Sequence, residues 1–291
     1  MYLPKFEFHE PSTVLEACQI LTKYGKKATI IAGGTDVLVN MKKKIIAPKQ
    51  LISIGRISGL STIEESEGWI KIGACCLVSE LAASDIIKKN IEALSESAIN
   101  LGSPLVRNLA TIGGNIRSAR PAAELPPALI AYDAKLKLQS GKGERTVGLD
   151  GFFKGPGATI MEQDEIIVEI HIKIPPAHSG ASYINLAVRK ANDINIVNVA
   201  SYISLDGKNG SIKSARIVMG CVGPKHLRAL SAEKLLMNEQ PSAELFAKAG
   251  EAAMTDCAPI DDFRGSAEYK KDMAGILTKR TLITAFDRTK D

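Results

Sequence analysis

The chain has 291 residues, 45% of them hydrophobic, and a net charge of +5. That is enough apolar material for roughly two domains or three small ones, and the modest, dispersed charge favours a solvated surface over nucleic-acid binding. No apolar run reaches the ~20 residues of a membrane span, and the opening MYLPKFEFHEP lacks the basic and apolar pattern of a signal peptide, so a cytoplasmic location is expected.

In chain order, Phe6-Glu7-Phe8 alternates like a short strand. Ser12 or Thr13 then caps a helix whose apolar stripe is Val14, Leu15, Cys18 and Leu21, ending at Gly25. Thr29-Ile30-Ile31 runs as a strand into the Gly33-Gly34 turn, Thr35 and Asp36 lead into a helix over Val37 to Met41, and Leu51 to Ile54 is strand again. This alternation predicts a small βαβαβ unit. The basic Lys42 to Lys44 sits at its second helix end, where cations complement the helix dipole.

From Leu60 the pattern becomes that of an antiparallel hairpin, Thr62 to Glu64 and Trp69 to Ile72. A largely helical stretch over Val78 to Leu101 follows, with Ser79 and Ser84 as caps and Gly102-Ser103-Pro104 as its stop. A second glycine pair lies in Ala110-Thr111-Ile112-Gly113-Gly114-Asn115. After a proline-rich turn come a short helix, Ala128 to Tyr132, and strands at Lys135 to Gln139, Glu144 to Val147 and Ile166 to Ile174. Strands at Ala181 to Asn185, Ile194 to Ile203 and Ile212 to Cys221 precede helices at Leu230 to Met237, Ala243 to Cys257 and Ser266 to Phe286. Strands followed by helices mark an α+β domain.

Two Gly-Gly segments, each after an apolar run and beside hydroxyl or amide side chains, are the leading functional signal. Glycines let successive N–H groups converge on an anion, so the pair suggests a clamp on one diphosphate-containing cofactor. Neither segment matches G-x-G-x-x-G or ends in G-K-[ST], which argues against a Rossmann site or a P-loop. The five cysteines, Cys18, Cys75, Cys76, Cys221 and Cys257, form no C-x-x-C pair and lie away from zinc-ligand spacing, so no metal or cluster is expected, and Cys75-Cys76 reads as buried thiols. His9, His171, His178 and His226 lack nucleophilic partners. Asp261-Asp262 suits the entry of the last helix better than acid–base chemistry. A chain without its own acid, base or nucleophile points to cofactor-borne chemistry.

These residues resemble the FAD-binding medium subunit of molybdenum hydroxylases, the xanthine dehydrogenase and carbon monoxide dehydrogenase type. The resemblance covers nearly the whole chain. It rests on AGGTD at 32–36, RNLATIGGN at 107–115, Pro121-Ala122-Ala123 before LPPAL, FFKGPG at 152–157, DEIIVEI at 164–170, RKANDINIVNVA at 189–200, GCVGPKHLRA and PIDDFRGSAEYKK. It implies the two-subdomain FAD fold of the vanillyl-alcohol oxidase and p-cresol methylhydroxylase type, here 1–57 and 58–176, plus a C-terminal α+β domain at 177–291.

By the same resemblance, Ile31, Ala32, Gly33, Gly34, Thr35, Asp36 and Val37 wrap the pyrophosphate. Thr111, Ile112, Gly113, Gly114 and Asn115 hold the other side, with Gly102 close by. Glu124 takes a cofactor-bonding place where aspartate is commoner, and Ile167 and Asn185 lie near the flavin, Asn185 where lysine is frequent. Arg117 and Arg120 replace small residues of the commoner pattern and are expected to meet phosphate, a partner subunit or a surface carboxylate. With no cysteine between Cys76 and Cys221, the cluster-binding insertion of some relatives is absent.

The implied role is electron transfer. FAD would take electrons from [2Fe-2S] clusters of a small partner, themselves fed by a large molybdopterin subunit, and pass them to an external acceptor such as NAD. The alternatives are an FAD-less structural subunit of the same kind of complex and a stand-alone flavin oxidoreductase.

Overall fold

A computed structural model describes residues 2–290. The first three strands, β1 (Glu7–His9), β2 (Ala28–Ile31) and β3 (Gln50–Ser53), form a parallel sheet in the order β1-β3-β2. Parallel neighbours need crossovers, supplied here by α1 (Val14–Tyr24) and α2 (Val37–Lys42). Of the two expected caps of α1 it is Thr13 that serves, its hydroxyl accepting the Glu16 N–H at 3.1 Å, and Gly25 at φ +53° closes the helix. The buried face Ala17, Cys18 and Leu21 shares a core with Ile52 of this sheet, Ile54 just after it, and Ile166 and Val168 beyond.

The next segment builds an antiparallel sheet around one buried strand. Its members are β4 (Ile63–Ser66), β5 (Trp69–Gly73), β6 (Lys135–Ser140) and β7 (Gly143–Gly148). After a small two-stranded ribbon of β8 (Phe153–Gly155) and β9 (Ala158–Thr159), β10 (Ile166–Lys173) inserts at the centre to give the order β4-β5-β10-β6-β7. Its first three residues, Ile166 to Val168, are all buried, and from there apolar and polar residues alternate, with Ile170 and Ile172 in the core and Glu169, His171 and Lys173 on the opposite face.

The expected helical stretch over 78–101 is three helices, α3 (Val78–Ala83), α4 (Asp85–Asn90) and α5 (Glu92–Asn100). The breaks fall where Ser84 (ψ 126°) and Ile91 (φ −143°) leave helical geometry. Ser84 does cap α4, but Ser79 lies inside α3, whose entry is closed by the Glu80 carboxylate accepting the Leu77 N–H at 2.8 Å.

Next come α6 (Pro104–Arg107), α7 (Ile112–Ser118) and α8 (Leu125–Ala131). Helix α8 starts three residues earlier than expected, because Pro126 and Pro127 sit in a first turn whose N–H groups need no helical partner. All seven of its residues are buried.

The C-terminal sheet is antiparallel in chain order: β11 (Ser179–Leu186), β12 (Val197–Leu205), β13 (Ile212–Gly220) and the two-residue β14 (Leu227–Arg228). Strand β12 begins at Val197, not Ile194, because the Asp193 carboxylate accepts the N–H groups of Arg189 and Ile194 and folds that stretch into a loop. Val197, Val199, Ile203 and Leu205 join a core with α9 (Leu230–Leu236), α10 (Ala243–Thr255) and α11 (Ala267–Asp287). Ala200 and Tyr202 on the opposite face join the core of the preceding segment. A strand buried on both sides therefore joins the halves. Arg288 adds polar bonds to the joint, meeting Glu92 at 3.0 Å, Glu96 at 2.5 Å and the Ala181 carbonyl at 2.6 Å.

Cys75 and Cys76 are buried, and burial pushes their thiols up to about 11 and about 12, as inert core residues require. Asp261 and Asp262 serve helix entry as expected, accepting the N–H groups of Ala267 at 2.6 Å and Arg264 at 2.8 Å, while Lys270 pairs with Asp262 at 3.0 Å. Among the described residues, no helix is long and apolar enough to cross a membrane.

Candidate functional site

The loop between β2 and α2 supplies unused donors. The N–H groups of Gly33 to Val37 meet no backbone carbonyl, and the first bond into α2 is Leu38 N–H to Gly34 O at 3.0 Å. Gly34 takes φ +73°, open to glycine at no steric cost. Gly33 is glycine for another reason: a Cβ there would lie 1.7 Å from the Leu109 carbonyl oxygen. The missing side chain admits the neighbouring segment of the protein itself. Because α2 has only six residues, its dipole adds little, and the row of free loop N–H groups carries the anion-binding capacity.

The second glycine pair is different in kind. Gly113 and Gly114 are the second and third residues of α7, capped by the Thr111 hydroxyl, which accepts the Gly114 N–H at 3.2 Å. The Ile112 and Gly113 N–H groups bond Cys76 O at 3.1 Å and Ala74 O at 2.8 Å, and Asn115 N–H returns to Thr111 O at 3.0 Å. The expectation of two equivalent loops is therefore corrected: in the second, the N–H groups are consumed by the chain. A Cβ on Gly113 would stand 2.7 Å from Ala74 O, so this glycine too serves close packing. What the segment offers a ligand is the Asn115 side chain, whose Oδ1 is buried without a partner.

Both segments line one cleft of about 1520 Å³. Small-molecule sites typically occupy ~300–1,000 Å³, so this one suits an extended ligand. Ala32, Gly33, Gly34, Thr35, Asp36, Val37, Gly102, Thr111, Gly113, Gly114, Asn115, Glu124 and Ile167 lie on its walls. Gly102, at φ +54°, is tied to the loop before β12 by the Asn192 N–H, 2.8 Å from its carbonyl.

Three expected residues lie off the wall. Ile112 is fully buried in the core, Ile31 ends its strand behind the loop, and the Asn185 amide donates to Asn195 Oδ1 at 2.8 Å. Arg117 and Arg120 both line the cleft and are exposed.

Glu124 is a buried carboxyl of the cleft wall with no cationic partner, unlike Glu165, which pairs with Arg145 at 2.5 Å. Burial pushes Glu124 up to about 7, the nearby Asp36 adds to the rise, and its own backbone N–H and Asn115 oppose it. Its approach is built by the C-terminal sheet. The carbonyls of Pro121, Ala122 and Ala123 accept from Cys221 N–H at 2.9 Å, Asn195 Nδ2 at 3.0 Å and Asn198 Nδ2 at 3.1 Å. Asn198 also donates to the Tyr183 hydroxyl at 3.1 Å. No motif in the sequence singles out Asn195, Asn198 or Tyr183 for the site. Asn198 alone carries a local signal, since an asparagine inside the apolar run of β12 must find partners to be buried.

A cleft of this size, with free N–H groups on one loop to meet a diphosphate and an unpartnered Asn115 amide oxygen in its wall to accept from a hydroxyl, fits a long cofactor such as FAD. Comparison with known proteins agrees. Residues 4–176 match the family model described as the FAD binding domain in molybdopterin dehydrogenase, and residues 182–285 match the CO dehydrogenase flavoprotein C-terminal domain.

The carbon monoxide dehydrogenase medium chain of Hydrogenophaga pseudoflava is 35% identical over 288 residues, 99% of each chain. A putative xanthine dehydrogenase FAD-binding subunit of Escherichia coli K12 is 30% identical over 280 residues, covering 96% of this chain and 95% of the relative. Among solved structures, a Hydrogenophaga pseudoflava carbon monoxide dehydrogenase lacking the Mo-pyranopterin moiety superposes with a TM-score of 0.95 at 35% identity, over 99% of both chains. Quinoline 2-oxidoreductase of Pseudomonas putida 86 gives 0.92 at 27% identity, over 100% of both chains. The chain belongs to the FAD-binding medium subunits of the molybdenum hydroxylases.

Proposed function

We propose that this medium subunit relays electrons from [2Fe-2S] clusters of a small partner subunit, through FAD held in the cleft, to an external acceptor such as NAD, with substrate oxidised in a large molybdopterin subunit. The N–H groups of Gly33 to Val37 hold the diphosphate; their freedom from carbonyl partners, inside a cleft of about 1520 Å³, is the observation that carries this reading. Thr111 to Asn115 and Gly102 form the opposite wall, Glu124 bonds the cofactor through its buried carboxyl, and Ile167 packs against it. Ile31 and Ile112 support the two segments from the core side, and Asn185 works from behind Asn195. FAD, when bound, supplies the redox chemistry that no side chain of this protein provides.

In this reading residues 1–57 and 58–176 are the two cofactor-binding subdomains and 177–291 the C-terminal domain. The first test is the absorbance spectrum of the purified full-length chain mixed with FAD and desalted. Flavin bands near one equivalent are expected, and a flavin-free protein overturns the assignment. Reduction of the bound flavin in the complex purified from its native source, on adding substrate of the large subunit, and its reoxidation by NAD test the route and the acceptor. Flavin that stays oxidised rules out the route.

A further inference from the structure

Three consecutive carbonyls, those of Pro121, Ala122 and Ala123, end on donors from the C-terminal domain: Cys221 just after β13, Asn195 in the loop before β12 and Asn198 within β12; the next residue is Glu124. Two of those donors are asparagine side chains that are almost wholly buried, Asn195 at 3% and Asn198 at 0% exposure. Burying an amide is unfavourable unless it is bonded. Both spend their Nδ2 groups on this short segment.

Asn195 is itself held, through its Oδ1, by Asn185 at 2.8 Å. Asn198 fits because position 220 is glycine: a Cβ there would fall 2.0 Å from its Oδ1. Glu124 stands at the N-cap position of α8 but makes no capping bond; its carboxyl, on the cleft wall, meets instead its own backbone N–H and the Asn115 side chain. The backbone leading to it is fixed from the far side of the domain boundary.

We infer that Asn195 and Asn198 are positioning residues for the cofactor site: by gripping the carbonyls of 121–123 they set where the Glu124 carboxyl stands, with Asn185 as the brace behind Asn195. The inference rests on the reading that Glu124 faces FAD. It gives the C-terminal domain a part in flavin binding through the backbone before Glu124, with Asn195 on the cleft wall and Asn198 behind it. It also explains how Asn185, one layer away from the wall, bears on the site.

The test is a thermodynamic cycle on the full-length chain, with FAD affinity read by quenching of flavin fluorescence and folding checked by circular dichroism. Asn195→Ala is expected to weaken FAD binding about tenfold and Asn185→Ala about threefold, the loss of one hydrogen bond and of its brace. Because the asparagine acts through Glu124, Asn195→Ala combined with Glu124→Ala should bind no more weakly than Glu124→Ala alone.

Wild-type affinity in Asn195→Ala and Asn185→Ala overturns the inference, as do losses that simply add in the double variant. These two variants keep the test open where Asn198→Ala, in the centre of the sheet, fails to fold. A wild-type chain that takes up no FAD overturns the cofactor reading, and this inference with it. A wild-type chain that binds while the variants match it overturns the inference alone.

Discussion

Replacing Gly33 by alanine separates two reasons for a glycine in a phosphate-binding loop. If the glycine only clears space for ligand, the methyl group weakens FAD binding and leaves the apo-protein as stable as before. The structure places that methyl 1.7 Å from the Leu109 carbonyl oxygen, less than half the ordinary ~3.5–4.0 Å of non-bonded contact. The obstacle is backbone, so no rotamer change relieves it. The loop and the 109–110 segment must part, and the second segment is tied down by Val78 N–H to Ala110 O at 2.9 Å.

Overpacking costs about 1–3 kcal/mol and more against rigid backbone, so about 3 kcal/mol is expected. At roughly 2–4 °C per kcal/mol for a chain of this order, the apo-protein should melt ~6–12 °C lower. Differential scanning fluorimetry without FAD measures it. Gly34→Ala is the control: its Cβ would meet only the Leu38 and Ile31 side chains, so it pays chiefly the ~1–2 kcal/mol of left-handed backbone. A Gly33→Ala apo-protein that melts with wild type refutes the contact argument and restores the ligand-clearance reading.

The remaining predictions concern charge. Glu124 is held at about 7 in the fold against an ordinary 4.5, so the folded protein binds its proton more tightly than the unfolded chain between those values. Its contribution to stability is complete below pH 4.5 and fades as pH rises to 7, on the order of 3 kcal/mol in all. In urea titrations across that window Glu124→Gln should lack this fall, and parallel pH profiles for the two proteins would refute the assignment. Arg288→Ala removes two ion pairs and a carbonyl bond at the joint between α5 and β11, and should lower stability by about 2–3 kcal/mol. Equilibrium unfolding checks it, and a loss below ~0.5 kcal/mol would mean that the joint rests on apolar packing alone.

Much of the architecture is local and so legible in the sequence. The crossovers of the first sheet follow from short β-branched runs alternating with a capped amphipathic helix, and Thr13, Ser84, Ser242 and Ser266 do their capping within three residues of themselves. Periodicity also locates the three C-terminal helices to within two residues at each end. Where expectation and structure part, the cause is a bond to a side chain or an uncommon backbone angle. Examples are the breaks at Ser84 and Ile91 and the late start of β12 behind Asp193.

The candidate site divides in the same way. The sequence alone marked the two glycine pairs, excluded the Rossmann and P-loop patterns, and through its motifs pointed to FAD. It could not distinguish the pairs, because glycine is equally the residue of an open anion loop and of tight packing between segments. That choice is made by contacts distant in sequence, 33 with 109 and 113 with 74, which leave the N–H groups of the first loop free and occupy those of the second. Tertiary structure alone likewise brings Asn195 and Asn198 to the backbone before Glu124, 73 and 75 residues away, because which carbonyl a buried amide meets depends on how the C-terminal sheet docks.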